Sequence, residues 1–589
     1  MVAFLDVERS LAGRRWCLRA GDERHAETIS QRFGLPGIVG RMLAARGVDV
    51  DAAPLFLNPT LKALLPDPLH LKGMAQAVER LCSAIRQGET VAVFGDYDVD
   101  GATSSALLLR FLRMLGLKPV LYIPDRIAEG YGPNTPAMLA LKERGVDLVI
   151  TVDCGTTAFE PLQAAATAGL DVIVVDHHEA EPTLPEAVAV INPKRLDDPS
   201  EHKHLAAVGV VFLLIVAVNR ALRQQGWYSD SSRPEPDLMT WLDIVALGTV
   251  CDVVPLVGVN RALVARGLEV MARRGNAGLA ALADVAKITE TPTAFHLGYL
   301  LGPRVNAGGR VGQADLGAKL LACDDPVEAG VLALRLHEYN AERQDIEAAV
   351  LFEAIEQAES RANTDDPLVM VAGENWHPGV IGIVAGRLKE RYNLPVCVVA
   401  LDGGMAKGSG RSVVGLDLGR AVIAAREAGL LEAGGGHAMA AGFSLKAERL
   451  DQFRQFLADR LSSQLKEGTL SPVLEVDGAV DIRAATPDFL QTVGKAGPFG
   501  AGNEPPKFVV PSARIVRADV VGQGHVRMTL TGACGGRLKA IAFRSIDTDL
   551  GVALLNAQGT AYHLAGSLRL DTWQGRNECQ LVVEDAAPA

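Results

Sequence analysis

No two cysteines of this chain stand in a C-x-x-C spacing, so neither a zinc ribbon nor a redox pair is expected. The eight are scattered: Cys17, Cys82, Cys154, Cys251, Cys323, Cys397, Cys534 and Cys579. That dispersal suits a reducing cytoplasm. The N-terminus, MVAFLDVERS, lacks a basic stretch followed by an apolar core, so no signal peptide is expected. The longest apolar run, Leu205 to Val218, is too short for a bilayer span and reads as a buried helix, so no membrane partner is expected. There is no internal repeat and no low-complexity tract. An excess of positive charge is missing too: 58 Lys and Arg face 70 Asp and Glu, a net charge of −12. That argues against a simple nucleic-acid coat. It leaves room for an enzyme with an acidic metal site and a local basic groove.

What is there is ordinary globular composition, 48% apolar and 22% charged, over 589 residues, enough for about three or four domains. Residues 1–85 read as a helical segment packed on the domain that follows. From residue 86 to 325, apolar strands ("TVAVF", "PVLYIP", "DLVITV", "DVIVV") alternate with amphipathic helices such as 135–144 and 160–168. That alternation predicts a parallel sheet covered by helices. Residues 326–362 predict a long connecting helix. A smaller α/β unit over 363–468 follows, with strands "LVMVAG" and "PVCVVAL" and a Gly-rich stretch between 403 and 442. In the tail, 469–589, "ARIVRADVV", "HVRMTLTG", "RLKAIAF" and "HLAGSLRLDTW" read as strands of a small β-barrel.

Chemistry concentrates at the strand ends. "VAVFGDYDVDG" carries Asp96, Asp98 and Asp100 two apart. This is the first half of an EF-hand loop, but position twelve is Leu107 and the preceding stretch is a strand, so the calcium loop is set aside. "DLVITVDCG" carries Asp153, "DVIVVDHHEA" carries Asp176, His177 and His178, and Asp252 follows a helical or strand-like run, "LDIVALGTVC". Ligands of an open parallel sheet collect beyond the carboxyl ends of its strands, so a common site is expected. One strand-end aspartate alone is more often a helix N-cap or turn former. The joint pattern favours hard cations, Mn²⁺ or Mg²⁺, because crowded carboxylates repel without one. Two ions sharing an aspartate suit hydrolysis of a phosphate ester. "EHKH" at 201–204 reads as solvated surface.

These motifs resemble the DHH phosphoesterase superfamily, with "VDHHEA" as its signature, and within it the RecJ family. "DRIAEGYG", "INPK", "AAVGVVF", "VALGTVCDVVPL", "RVNAGGRVG", "WHPGVIGIVAGRL", "KGSGRS", "GGGHAMAAGFS" and "PFGAGNEPP" carry the likeness along nearly the whole chain. The resemblance implies a parallel-sheet DHH domain, a DHHA1 domain and an OB-like barrel. It also implies a 5′→3′ exonuclease that degrades single-stranded DNA to 5′-mononucleotides with two Mn²⁺ or Mg²⁺ ions, in DNA repair and recombination. Asp98, Asp100, Asp153, His177 and Asp252 would be ligands, with Asp153 bridging. His178 would touch the scissile phosphate, and Asp176 would orient its neighbours.

Many superfamily members carry a His four residues before the second aspartate of the first motif. Here that residue is Phe94. Either Asp96 substitutes, or that ion keeps fewer protein ligands and more water. It is expected to bind weakly until substrate arrives. Gly lets the "KGSGRS" backbone approach an anion, and Arg forks onto phosphate. By resemblance Ser409, Arg411 and Arg126 would hold the 5′-phosphate, with Arg304, Arg310 and His437 also on the strand. Arg304 and Arg310 have an interdomain ion pair as the alternative. Arg514, Arg517, Arg527, Arg537, Lys539, Arg544 and Arg569, with Phe543 and Trp573, give the tail the look of a single-strand binder. Single-strand-binding protein and a RecQ-type helicase are the partners the family implies, and a monomer is expected. The alternatives are a phosphodiesterase of short oligonucleotides and a non-catalytic DNA-binding relative. An inorganic pyrophosphatase is disfavoured by Phe94 and the tail.

Overall fold

The computed structural model describes every residue except 1, 127, 230–232, 361–365, 465–471, 558 and 572–577. The chain divides into two compact units, residues 1–337 with 475–589, and residues 338–474.

In the first unit, five parallel strands form a sheet in the order Val120–Tyr122, Val91–Gly95, Leu148–Val152, Asp171–Val175, Ala189–Ile191. The central three are apolar and almost wholly buried, as a sheet covered on both faces requires. Helices Thr135–Glu143 and Phe159–Thr167 pack on one face, in a core with Phe94, Met138, Val149 and Leu162. The helix Val99–Met114 leaves the first strand and buries almost every residue. The expected apolar helix is Ala207–Gln224, 18 residues. It is long and apolar enough to cross a membrane, yet 72% of it is buried inside the protein, so it is core.

Counted by sequence, the strand order is 2-1-3-4-5. It reverses between Val91–Gly95 and Leu148–Val152, which pair through Gly95 and Val152. A crevice opens beyond the carboxyl ends of the strands at such a switch point. Asp96 and Asp153 are the next residues of these two strands.

The N-terminal segment departs from expectation. It is not all helix: Arg15–Leu18 is a strand, and the Arg19 N–H donates to the Val476 carbonyl. Nor does it pack only on the parallel sheet and its helices. Ile29, Val39, Met42 and Leu43 share a core with Val480, Val493 and Phe508 of the tail. The buried Asp585 accepts from Ser10 Oγ at 2.6 Å and from Trp16 Nε1 at 3.0 Å. Met74–Gln87 is the helix that turns to the parallel sheet. The tail closes into a five-stranded barrel because Phe508–Val521 pairs with both His525–Thr531 and Ala561–Asp571. Arg261, 1% exposed, ties three segments together. Its guanidinium lies 3.9 Å from the Phe56 ring centroid and donates to the carbonyls of Phe56, Ala496 and Gly497.

In the second unit a five-stranded sheet runs Ala433–His437, Ala440–Lys446, Met405–Arg411, Val396–Asp402, Val369–Glu374. One face, carrying Phe443, packs on Leu418, Val422 and Phe453, the other on helix Ile381–Tyr392. The connecting helix spans Pro326–Ser360.

Candidate metal centre

Each strand-end motif has a local reason for its shape. Asp98 is the N-cap of Val99–Met114, and its Oδ1 accepts from the Gly101 N–H at 3.0 Å. Gly101 is required there: a β-carbon would lie 2.4 Å from the Asp96 carbonyl oxygen. Asp100 lies within the first turn and caps a different helix. Its Oδ2 accepts from the Ala207 N–H at 2.6 Å and its Oδ1 from the Val208 N–H at 2.9 Å. Asp153 adopts φ 62°, a left-handed conformation that costs free energy away from glycine. Asp252 is the C-cap of the helix Leu242–Cys251, which resolves the choice between helix and strand there. Val253 follows at φ 61°. The "PFGAGN" motif buttresses this loop: the Leu256 N–H donates to the Ala501 carbonyl at 2.8 Å, and a β-carbon at Gly502 would lie 2.8 Å from Pro255.

Three overlapping groups result, Asp96–Asp98–Asp153, Asp153–His177–His178 and Asp100–His177–Asp252, each with ligand atoms within 4.8 Å of one another. Asp153 and His177 join them. His177 Nε2 lies 3.3 Å from Asp153 Oδ1 and 3.9 Å from Asp100 Oδ2. His177 Nδ1 lies 3.1 Å from the Leu205 carbonyl. That oxygen can only accept, so Nδ1 carries the hydrogen and Nε2 presents a lone pair to carboxylates.

Acceptors therefore face acceptors. Asp96 Oδ1, Asp153 Oδ1, His177 Nε2 and Asp252 Oδ2 are all buried without a hydrogen-bond donor among the described residues. A buried polar atom left so is expensive, and four converging ones fit a divalent cation of hard character. Titration follows the same physics. Burial, then the charge of Asp98, pushes Asp96 up to about 8 and Asp100 up to about 7. Burial and neighbouring aspartates push Asp153 up as well. Burial, then Asp100, raises Asp252 to about 9. Burial, then His178, lowers His177 to about 4, which keeps it neutral as a ligand must be.

Asp176 behaves oppositely. Burial pushes it up, but hydrogen bonds from His178 and Thr156 outweigh that and hold it below the usual carboxylate range. Its Oδ1 accepts from His178 Nδ1 at 2.7 Å and its Oδ2 from the Thr156 N–H at 3.0 Å. Asn192 Nδ2 donates to Thr156 Oγ1 at 2.9 Å and to the His178 carbonyl at 2.8 Å. The Tyr131 hydroxyl donates to the Asp153 carbonyl at 3.0 Å and stands 3.2 Å from His178 Nδ1. Tyr131, Thr156 and Asn192 escape the sequence reading, although Tyr131 and Asn192 lie inside quoted motifs. Burial lowers His178, but Asp176 outweighs it and the net shift is upward.

Two of the expected arginines reach this edge. The Arg126 guanidinium lies 4.8 Å from the Tyr97 ring centroid, and the charges of Arg126 and Arg310 both act on Tyr97. Gly309 lets its helix, Gly302–Val311, close on the Tyr97 backbone, where a β-carbon would lie 2.6 Å from the carbonyl oxygen. Arg304 instead donates to the Leu300 carbonyl at 2.6 Å and to His337 Nδ1 at 3.2 Å. Phe94 is buried in the strand and stacks on Tyr122 at 5.1 Å, while the Asp96 carboxylate joins the acidic group. "EHKH" is only partly solvated: Glu201 and Lys203 are exposed, but His202 packs edge-on to His70 and His204 is half-buried.

In the second unit the expectation for "KGSGRS" needs correction. Its backbone is not open to an anion: the residues up to Arg411 belong to the strand Met405–Arg411, paired on both sides. Its glycines serve packing: a β-carbon at Gly408 would lie 2.1 Å from the Phe443 ring, and one at Gly410 2.6 Å from Leu418. Ser409 and Arg411 point to the other face, where Arg411 Nη1 donates to Ser409 Oγ at 3.3 Å. The first turn of Ile381–Tyr392 stands over them; a β-carbon at Gly382 would lie 3.0 Å from Ser409 Oγ. "GGGHAMAAG" is a hairpin. Gly435 pairs with Gly442, which pairs with Ser409, and nothing lies within 4 Å of a β-carbon at either glycine. His437 is exposed at the hairpin tip. In the barrel Arg517 and Arg527 pair with Asp519, and Lys539 pairs with Glu578, so part of the expected basic surface is neutralised. Trp573 lies outside the described residues.

Comparison with known proteins accords with this geometry. Residues 90–249 match the DHH family, N-terminal domain, residues 365–463 the DHHA1 domain and residues 476–585 the RecJ OB domain. The chain is 36% identical to the single-stranded-DNA-specific exonuclease RecJ of Bacillus subtilis, over 97% of this chain and 71% of that protein. It is 37% identical to RecJ of Dickeya dadantii, over 94% of this chain and 96% of that protein. A crystal structure of RecJ from Thermus thermophilus in complex with Mn²⁺ superposes with a TM-score of 0.79 at 29% identity, covering 97% of this chain and 79% of that one. The chain belongs to the RecJ family of single-stranded-DNA-specific exonucleases.

Proposed function

We propose that the chain is a metal-dependent exonuclease that degrades single-stranded DNA from its 5′ end to 5′-mononucleotides. One observation carries the reading: four buried acceptor atoms converge at the switch point of a parallel DHH sheet with no donor to meet them among the described residues. Asp96, Asp98 and Asp153 would hold one Mn²⁺ or Mg²⁺ ion, and Asp100, Asp153, His177 and Asp252 a second. Bound there, the ions supply positive charge for the phosphodiester and lower the pKa of water.

The protein's own groups do the rest. Asp176 fixes His178 through Nδ1 and favours its protonated form, so the remaining ring nitrogen can donate to a phosphate oxygen. Tyr131 restrains the same ring and the Asp153 carbonyl. Arg126 beside Tyr97 would take a phosphate of the DNA and Arg310 would contact the strand; in the DHHA1 domain Ser409 and Arg411 are the candidate phosphate contacts. His437 and Arg304 would contact the strand, and residues 469–589 would bind it ahead of the site. A monomer in the cytoplasm, working in DNA repair and recombination with single-strand-binding protein and a RecQ-type helicase, completes the proposal.

The test is degradation of a 5′-phosphorylated single strand labelled at its 3′ end, beside a blunt duplex, with Mn²⁺, Mg²⁺ or EDTA. Stepwise loss from the 5′ end of the single strand only, abolished by EDTA, is expected. Cleavage confined to dinucleotides would replace this reading with a small-substrate phosphodiesterase.

A further inference from the structure

Two aromatic side chains stand outside both the metal centre and the barrel. Phe295 and Tyr299 are 58% and 71% exposed. Their rings stack on each other, with centroids 5.0 Å apart and planes 26° apart. They flank and join a π-helical turn, His296–Leu301, a conformation frequent at functional sites.

This turn is firmly seated. The Cys251 thiol donates to the Leu297 carbonyl at 3.4 Å, and a β-carbon at Gly302 would lie 2.5 Å from Cys251 Sγ. His296 between the two aromatics is buried, with Nε2 2.9 Å from Glu290 and Nδ1 accepting from the Thr293 N–H. The exposed pair is therefore held against the last turn of the helix that Asp252 caps. On its other flank Glu290 acts electrostatically on Arg569 of the barrel, whose guanidinium lies 5.1 Å from the Phe543 ring centroid. Arg304 follows Tyr299 by five residues. It donates to the Leu300 carbonyl and His337, and no carboxylate among the described residues pairs with it.

Exposed, stacked aromatic faces, with an arginine five residues further along the chain that has no acid partner among the described residues, fit a polyanion that carries planar apolar groups, which is a single-stranded nucleic acid. A duplex hides those faces in its own stack. We propose that Phe295 and Tyr299 form a stacking platform for one unpaired nucleobase of the strand, between the barrel and the metal edge. This rests on the exonuclease reading for its substrate. Tyr299 makes the contact and Phe295 backs it.

The experiment is binding of 3′-fluorescein oligothymidylate to the full chain in EDTA, followed by anisotropy, so that no cleavage intervenes. Tyr299→Ala is expected to weaken binding about tenfold. Tyr299→Trp should restore it, and Phe295→Ala should cost less. Both residues are exposed, so circular dichroism and Tm should stay at wild-type values. A set of strands with one abasic residue moved along them should contain one position where the wild type loses the same factor and Tyr299→Ala costs nothing more. Unchanged affinity, or a loss additive with the abasic residue at every position, overturns the platform. So does a change in self-association with DNA binding intact, which would make the pair an interface between copies. If the abasic pattern appears but strands with Mn²⁺ stay uncut, the platform stands and the exonuclease reading falls.

Discussion

The molecule carries two sheets whose sequence motifs look alike, short and rich in glycine and polar residues, yet they present those motifs in opposite ways. In the parallel sheet the motif begins where the strand ends. Gly95 and Val152 close the ladder, and Asp96 and Asp153 project past it with polar atoms that no donor meets among the described residues. In the second unit the motif is the strand. Lys407 to Arg411 lie between two neighbours, so the backbone groups are consumed by pairing and only alternate side chains remain for a ligand. Glycine also differs in use. Gly101 admits a backbone carbonyl beneath the acidic loop, whereas Gly408 admits a phenyl ring of the core. Unpaired polarity thus marks the first region as a site, while in the second the binding face must be read from what the sheet leaves uncovered.

The sharpest way to break this contrast is to remove Asp153, which belongs to two of the three acidic groups. Asp153→Ala should lower exonuclease rate on the order of a thousandfold, about 4 kcal/mol in the barrier. It should also abolish the stabilisation by Mn²⁺ seen as a Tm shift. A variant that retains both would show that Asp153 bridges nothing.

The second unit predicts a different failure. Gly408→Ala forces a methyl against Phe443 and should destabilise by about 1–3 kcal/mol, visible as a lower denaturant midpoint. Gly435→Ala, with open space around it, should leave that midpoint near wild type and instead weaken strand binding. Equal effects from both substitutions would erase the distinction between packing glycines and face glycines.

A smaller effect is expected from the groups behind the histidines. Asn192→Ala removes donors to Thr156 Oγ1 and the His178 carbonyl. Loss of such outer partners costs roughly 10–100-fold in activity, and the lower figure is expected here because Asp176 still holds His178. Steady-state kinetics should place the loss in kcat.

The same contrast explains what can be read from sequence. The strands Val91–Gly95, Leu148–Val152 and Asp171–Val175 and the acidic residues after them are legible because burial demands apolar runs and a parallel sheet sends its ligands to one edge. Asp252 is legible by residue type alone, since a helix C-cap carries no signal of direction. Strand Met405–Arg411 is not legible: Gly and Ser have poor strand propensity, and the sheet forms there because Phe443, Leu418 and Cys397 fill the space that glycine leaves. The bond from Trp16 to Asp585 joins residues 569 apart in sequence, so no local pattern can announce it. Leu205 acts on His177 through its backbone carbonyl, so residue type says nothing about it.

The last prediction turns the unpaired acidity into a pH profile. Asp96, Asp100 and Asp252 titrate at about 8, about 7 and about 9 in the folded chain, all above an unfolded aspartate. A raised carboxylate keeps its proton in the folded state while the unfolded state has lost it. The unfolded state then binds fewer protons, so stability falls as pH rises from about 4 toward the folded values. In EDTA, Tm should decline by a few degrees between about pH 6 and about pH 9. Mn²⁺ competes with those protons, so the Tm gain it confers should grow over the same interval. Asp176, whose pKa is lowered, adds no slope there, because its contribution is lost only in acid. In Asp252→Asn the decline in EDTA should be shallower, since one repelling carboxyl is gone. A Tm in EDTA that is flat or rising across this interval would mean that the acidic edge is already compensated within the protein, and that the contrast between the two sheets is not one of charge.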